Sequence, residues 1–334
     1  MKIKTLKKAL LPILLCVCFL LTACAKYEPI ESTEQDLTVV GHVGEFEVKY
    51  EELRFVLLSQ KKIMMEKYGE DIFENPETSA HYTEMLREFV YESLTANYVI
   101  LTLCREVGIE ANEEPLLEAV QEKLESTANE LGGARRYKKF LAENNMTDSF
   151  FRFNLLVDIM QNELYYVYTK DLQLIEVDDD KIYDAIQSEF ARTQHIYISK
   201  SNGKSYDQNK AIIDSAYAQL TSGADFMTVA TTYGEDTELT TDGYYIPKGY
   251  MSEAYDKAAF ELSVDAFTGV IEDDDGFYII KRLAIEPMYL MINFDTLKDR
   301  YQKYAFLNII DTEREKLEFV PTEYLAALDI LSIK

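Results

Sequence analysis

Residues 193–236, TQHIYISKSNGKSYDQNKAIIDSAYAQLTSGADFMTVATTYGED, pass from a strand to two helices, and this change of period sets the fold class. His195-Ile196-Tyr197-Ile198 reads as a short strand, and Ser199 to Tyr206, with its Gly203 and serines, as a loop. From Asp207 to Thr221 the apolar residues Ile213, Ala216, Tyr217 and Leu220 recur on one helical face, and Gly223 closes that helix. Asp225 is placed to cap a second helix through Tyr233. The polar loop Gly234 to Asp242 follows.

Downstream, Tyr255 to Leu262 is helical. Val270-Ile271 and Phe277 to Arg282 read as paired strands joined by a turn at Asp273 to Gly276. The order β-α-α-β-α-β-β predicts a small α+β domain with helices packed around an antiparallel sheet. Pro287 marks its exit. Phe294 to Phe319 is expected to form one long helix, and the apolar tail Pro321 to Lys334 to pack behind it.

Upstream the pattern is helical. Leu37 to Val48 alternates in strand fashion with Gly41 and Gly44 as turn signals, and a helix is expected from Tyr50 to Tyr68. One long helix is expected from Thr78 to Val107, one from Pro115 to Asn129, a shorter one ending near Asn145, and one from Thr147, as N-cap, to Lys170. Asp171 to Asp180 reads as a linker, and a helix from Lys181 to Arg192 leads into the α+β domain. The predicted architecture is therefore multidomain α+β: a helical module at 37–180, an α+β domain at 181–286, and C-terminal helices at 287–334 that return to the helical module.

The first residues carry a different signal. Lys2, Lys4, Lys7 and Lys8 precede an apolar run from Ala9 to Ala23, too short for a comfortable membrane span. That is the layout of a signal peptide, residues 1–23. Its end, Leu21-Thr22-Ala23-Cys24, resembles the lipobox of bacterial lipoproteins, which implies a lipidated Cys24 and a tether at 24–36. The expected location is the extracytoplasmic face of the cell membrane, held there by the lipid. Cys104 is the one cysteine left over and reads as a small buried hydrophobe.

The chain has 334 residues and a formal charge of -25, with 59 acidic against 34 basic side chains, so it repels phosphate backbones and nucleic acid is excluded as a partner. Its three histidines, His42, His81 and His195, lack metal-ligand spacing, and no phosphate loop or nucleophile elbow is present. No metal and no cofactor is expected.

The region 193–283 resembles the parvulin peptidyl-prolyl isomerases. Thr193-Gln194-His195-Ile196 is similar to the family's opening strand with its active-site histidine. Ser222-Gly223-Ala224-Asp225-Phe226 matches the Gly–Asp–Phe step between helices, Tyr233-Gly234-Glu235-Asp236 the acidic loop, Lys248-Gly249-Tyr250-Met251 the glycine-x-methionine step, and Gly276-Phe277-Tyr278-Ile279-Ile280 the closing strand. Val39 to Leu53 resembles the start of a SurA-type chaperone module, and the element order is similar to PrsA/SurA-like foldases.

The resemblance implies cis-trans isomerisation of X-Pro bonds in exported polypeptides. It implies His195, Asp236 and Tyr278 as catalytic residues, and Met251, Tyr255 and Phe260 as the apolar trio that grips proline. Unfolded or partly folded exported chains are the implied partners; a homodimer is left open. Tyr278 stands where the family has its second histidine, and Thr240 to Tyr245 replaces a Gly-Gly-Asp-Leu-Gly segment. These departures keep a second reading in play, a non-catalytic holdase with a degenerate parvulin domain. Lys200, Lys204 and Lys210 are scattered, which argues against phosphopeptide specificity.

Overall fold

The computed structural model describes residues 32–334. The signal segment, Cys24 and the first part of the tether lie outside the described residues. The chain divides into two compact units, one formed by residues 32–174 with Leu307–Lys334, the other by Ile175–Phe306.

In the helical unit, β1 (Val39–Val43) and β2 (Phe46–Lys49) form a hairpin around Gly44, whose φ of 57° is left-handed. Helix α1 (Tyr50–Tyr68) starts at once, because the Glu52 carboxylate accepts the Lys49 N–H at 3.1 Å. Glu52 also accepts the Tyr98 hydroxyl at 2.7 Å, and burial pushes its carboxyl up to about 7.

The expected helix from Thr78 to Val107 is two helices, α2 (Ser79–Leu94) and α3 (Ala96–Glu106). At the break, the buried Thr95 hydroxyl donates to the Glu92 carbonyl at 2.7 Å, a side-chain bond that competes with the helical ladder.

Helices α4 (Glu114–Glu130), α5 (Ala134–Glu143) and α6 (Asp148–Tyr166) follow. Leu124, Tyr137, Leu141, Phe150 and Phe151 meet in one core. Thr147 caps α6, accepting the Phe150 N–H, and its own hydroxyl donates to buried Glu51 of α1 at 2.6 Å. A π-turn at Val167–Asp171 ends α6.

The second unit begins near α7 (Asp179–Glu189), which stops three residues earlier than expected. Phe190 to Arg192 belong instead to β3 (Phe190–Ser199). There, the Arg192 guanidinium donates to the Asp242 and Ala284 carbonyls at 2.7 and 3.0 Å, so long-range pairing overrides local helix propensity. The order continues with α8 (Tyr206–Thr221), α9 (Phe226–Tyr233), β4 (Tyr244–Pro247), α10 (Glu253–Glu261), β5 (Ile271–Glu272) and β6 (Gly276–Leu283). The sheet is antiparallel, in the order β4-β3-β6-β5.

The pleat sorts side chains by parity. Ile196, Ile198, Phe277 and Ile279 pack on α8 and α9. Ala191, Tyr278 and Ile280 face α10 with Tyr255 and Ala259. The β-α-α-β-α-β-β expectation is met, and the chain is a multidomain α+β protein.

The end of the chain departs from the expected pattern. Pro287 is expected to mark the exit from the α+β domain, ahead of one long helix from Phe294 to Phe319; two helices, α11 (Pro287–Ile292) and α12 (Phe294–Arg314), occupy this stretch. Leu290 and Leu297 instead join Ile182, Ile186, Phe190 and Tyr245, and the division falls within α12 at Phe306/Leu307. Helix α12 stops at Arg314, and Phe319 lies in a strand, β7 (Phe319–Pro321), antiparallel to β1. Gly41 permits this: a Cβ there would run into the Phe319 ring. A short helix α13 (Glu323–Ala326) and a 3-10 turn at Ile330–Ser332 complete the unit.

Candidate active site in the α+β unit

On β3, alternation turns Thr193, His195 and Tyr197 away from the α8–α9 core and toward α10. His195 is opposite Ile280 of β6, and Tyr197 opposite Tyr278. The loop after α9 carries Asp236 to the edge of this face. Glu235 fixes that loop: its backbone N–H donates to the Tyr197 carbonyl, and its carboxylate accepts the Ser199 N–H at 2.8 Å.

His195 Nε2 lies 2.9 Å from Asp236 Oδ2, and Nδ1 lies 3.0 Å from the Tyr255 hydroxyl. A carboxylate only accepts, so neutral His195 carries its proton on Nε2 and donates it to Asp236. Nδ1 then accepts the Tyr255 O–H, and Tyr255 accepts from Thr193 at 3.0 Å. On the other side, the Tyr244 hydroxyl donates to the same Asp236 oxygen at 2.8 Å, and its ring stacks on His195 with centroids 5.3 Å apart. Every polar atom of the imidazole is thus committed, in one tautomer.

Burial lowers the His195 pKa from its ordinary 6.5, against the pull of Asp236. Burial alone would raise Asp236; hydrogen bonds from Tyr244, the Glu238 N–H and His195 outweigh it and hold the carboxyl below 3.8. The pair at neutral pH is a neutral ring on an ionised carboxylate. Its contribution to stability has one sign. The unfolded chain takes up the His195 proton first, so this contribution is fully present above pH 6.5 and is lost on acidification through the depressed folded value; Asp236 adds a loss of the same sign below 3.8. Urea midpoints should fall from pH 8 to pH 5, and His195→Gln should flatten that slope. A His195 ring half-protonated above pH 6.5 by NMR would contradict it.

A cleft of about 470 Å³ opens over this network, lined by His195, Asp236, Met251 and Tyr278 together with Tyr197, Glu235, Thr237, Glu238 and Asp275. Met251 is placed by Asp256, whose carboxylate accepts the backbone N–H groups of Gly249 and Met251. Gly249, with φ 94°, allows that turn.

Tyr278 is only 7% exposed and stacks on Tyr197 at 4.8 Å. Burial raises its pKa, so the hydroxyl stays protonated, and among the described residues it has no hydrogen-bond partner.

Two residues expected to grip proline do not line the cleft. Tyr255 is 1% exposed beneath it, with its hydroxyl spent on His195 and Thr193. Phe260 is half-buried and packs against the core cluster below, with the Arg282 guanidinium 5.5 Å from its ring. The aromatic wall is made by Tyr197 and Tyr278 instead. Sequence reasoning missed Tyr197 and Tyr244 as site residues. The parity of β3 pointed to Tyr197; nothing local pointed to Tyr244.

Residues 181–284 match the family model of the PPIC-type PPIASE domain. The foldase protein PrsA of Caldanaerobacter subterraneus subsp. tengcongensis is 23% identical over 244 residues, 71% of this chain and 68% of that protein. Among solved structures, the peptidylprolyl isomerase PrsA of Bacillus anthracis is similar at 14% identity with a TM-score of 0.34, over 67% of this chain and 96% of that one. Foldase protein PrsA of Streptococcus pneumoniae is similar at 20% identity and a TM-score of 0.34, over 74% and 86%.

Proposed function

Starting from a PrsA-like chain with a PPIC-type PPIase domain at residues 181–284, we propose an extracytoplasmic foldase, anchored by lipid on Cys24, that isomerises X-Pro bonds in exported polypeptides. The observation that carries the catalytic part is the cleft where Met251 and the free Tyr278 hydroxyl meet the fixed His195–Asp236 pair. The anchor rests on the charged, apolar and Leu-Thr-Ala-Cys sequence at 2–24.

Isomerisation makes and breaks no covalent bond; it crosses a barrier of about 20 kcal/mol set by amide resonance. In the twisted state the prolyl nitrogen regains its lone pair and the carbonyl loses polarity. A site that favours this state offers a dry wall and a single donor aimed at the nitrogen. Met251 and the Tyr197–Tyr278 stack supply the wall. Tyr278 supplies the donor and is the catalytic residue in this reading. His195 and Asp236 are positioning residues: with all polar atoms committed, the imidazole is a neutral, rigid floor that does not compete for the substrate.

The test is isomerisation of a proline peptide by the full chain, followed by NMR exchange. Tyr278→Phe keeps the stack and deletes the donor, so kcat should fall about ten-fold with KM nearly unchanged, the effect of one hydrogen bond of about 1.4 kcal/mol. No acceleration by the unaltered chain would remove the isomerase and leave the holdase reading, which the replacement of the family's second histidine by Tyr278 favours.

A further inference from the structure

We propose that the cleft selects prolines flanked by lysine or arginine, with Glu238 and Asp275 as the specificity-determining residues; this rests on the reading of the cleft as the substrate site. Four carboxylates line it, Glu235, Asp236, Glu238 and Asp275, and no lysine or arginine does. The four are not equivalent. Glu235 is neutralised by Lys204 at 3.2 Å, and Asp236 is committed to His195 and Tyr244. Lys200, the other cation of the neighbouring loop, is turned onto Glu272 at 2.8 Å.

Glu238 and Asp275 are different. Both are exposed, and neither side chain has an ion-pair or hydrogen-bond partner among the described residues; only their backbone groups are used, the Glu238 N–H donating to Asp236, the Asp275 N–H donating to Asp273, and the Asp275 carbonyl accepting from Tyr197 and Lys200. They stand on separate segments, the loop after α9 and the β5–β6 turn. The same lining holds Tyr278, a residue nine-tenths buried whose hydroxyl has no partner among the described residues, which marks the space as one that receives a polar ligand.

The half-buried Tyr197 ring, stacked on Tyr278, adds an aromatic surface to the lining that holds Asp275, which favours a guanidinium or ammonium group over a carboxylate. The neutral state of His195 leaves nothing in the lining to offset the two carboxylates. A peptide with acidic flanks meets repulsion from both walls, and one with basic flanks meets two free partners.

The experiment uses the full chain at low salt and three peptides with lysine, alanine or glutamate on both sides of proline. It measures kcat/KM by NMR exchange and Kd by shifts of the His195 and Tyr278 ring signals. Lysine over glutamate should be favoured about ten-fold in both, each exposed pair contributing a few-fold, and the ratio should shrink with added salt. Glu238→Gln with Asp275→Asn should bring it toward one, and Glu238→Lys with Asp275→Lys should invert it. Equal constants across the peptides, or a lysine preference that survives both double variants, overturns the proposal. Lysine-selective binding without any isomerisation overturns the isomerase reading and leaves this selectivity standing.

Discussion

Replacing Asp236 by alanine is expected to lower kcat/KM for X-Pro isomerisation by about two orders of magnitude, close to 3 kcal/mol. The loss has two parts. The Nε2–H of His195, a ring only 11% exposed, is left without its acceptor, and the Tyr244 hydroxyl loses the same oxygen. The imidazole is then free to exchange tautomers, rotate out of its plane against Tyr244, and offer an N–H into the cleft that binds the planar amide as well as the twisted one. Asp236→Asn retains an acceptor for His195 and removes the charge, so its loss should be nearer ten-fold. Circular dichroism separates this from unfolding. Rates within two-fold of the unaltered chain for both variants would show that the His195–Asp236 pair is only structural.

Phe277→Ala is expected to remove about 3–5 kcal/mol of stability. Phe277 is fully buried between β3 and the α8–α9 layer, against Ile198 and Ile213, with the Tyr206 ring at 5.4 Å and Lys200 over its face. Both the lost apolar burial and the cavity contribute, because strands on either side cannot collapse into the space. Denaturant midpoints are the measurement. The neighbouring residue supplies the contrast: Tyr278→Phe should alter kcat and hardly alter the midpoint. On the proposed reading of Tyr278, two adjacent residues of β6 would divide stability and chemistry between the two faces of one sheet, and a loss below about 1 kcal/mol at Phe277 would contradict that division.

Much of the fold was legible in short patterns. Thr147, Asp225 and the turn at Asp273 to Gly276 sit where their side chains and backbone end or start an element, and the α+β order followed from them. The bounds of α1 are those read from its apolar stripe. The misread elements share a cause. Thr95, Phe190 to Arg192 and Phe319 lie in stretches whose local preference is helical or neutral, and a side-chain bond or a distant strand decides them. Phe319 pairs with Val43 across more than two-thirds of the chain, and no window of neighbouring residues contains that information.

The same distinction holds at the site. Periodicity and the parvulin resemblance located His195, Asp236, Met251 and Tyr278 on the elements that carry them, and these four do line one cleft. Tertiary structure alone decided that Tyr255 lies under the floor as a hydroxyl partner, that Phe260 packs half-buried against the core cluster and outside the cleft lining, and that Tyr244 reaches Asp236. Parity along a strand or helix tells which face a residue occupies, because backbone geometry repeats. What stands opposite that face depends on strand register and on the path of the aperiodic 234–242 loop, and both are set by packing between residues some forty to ninety positions apart.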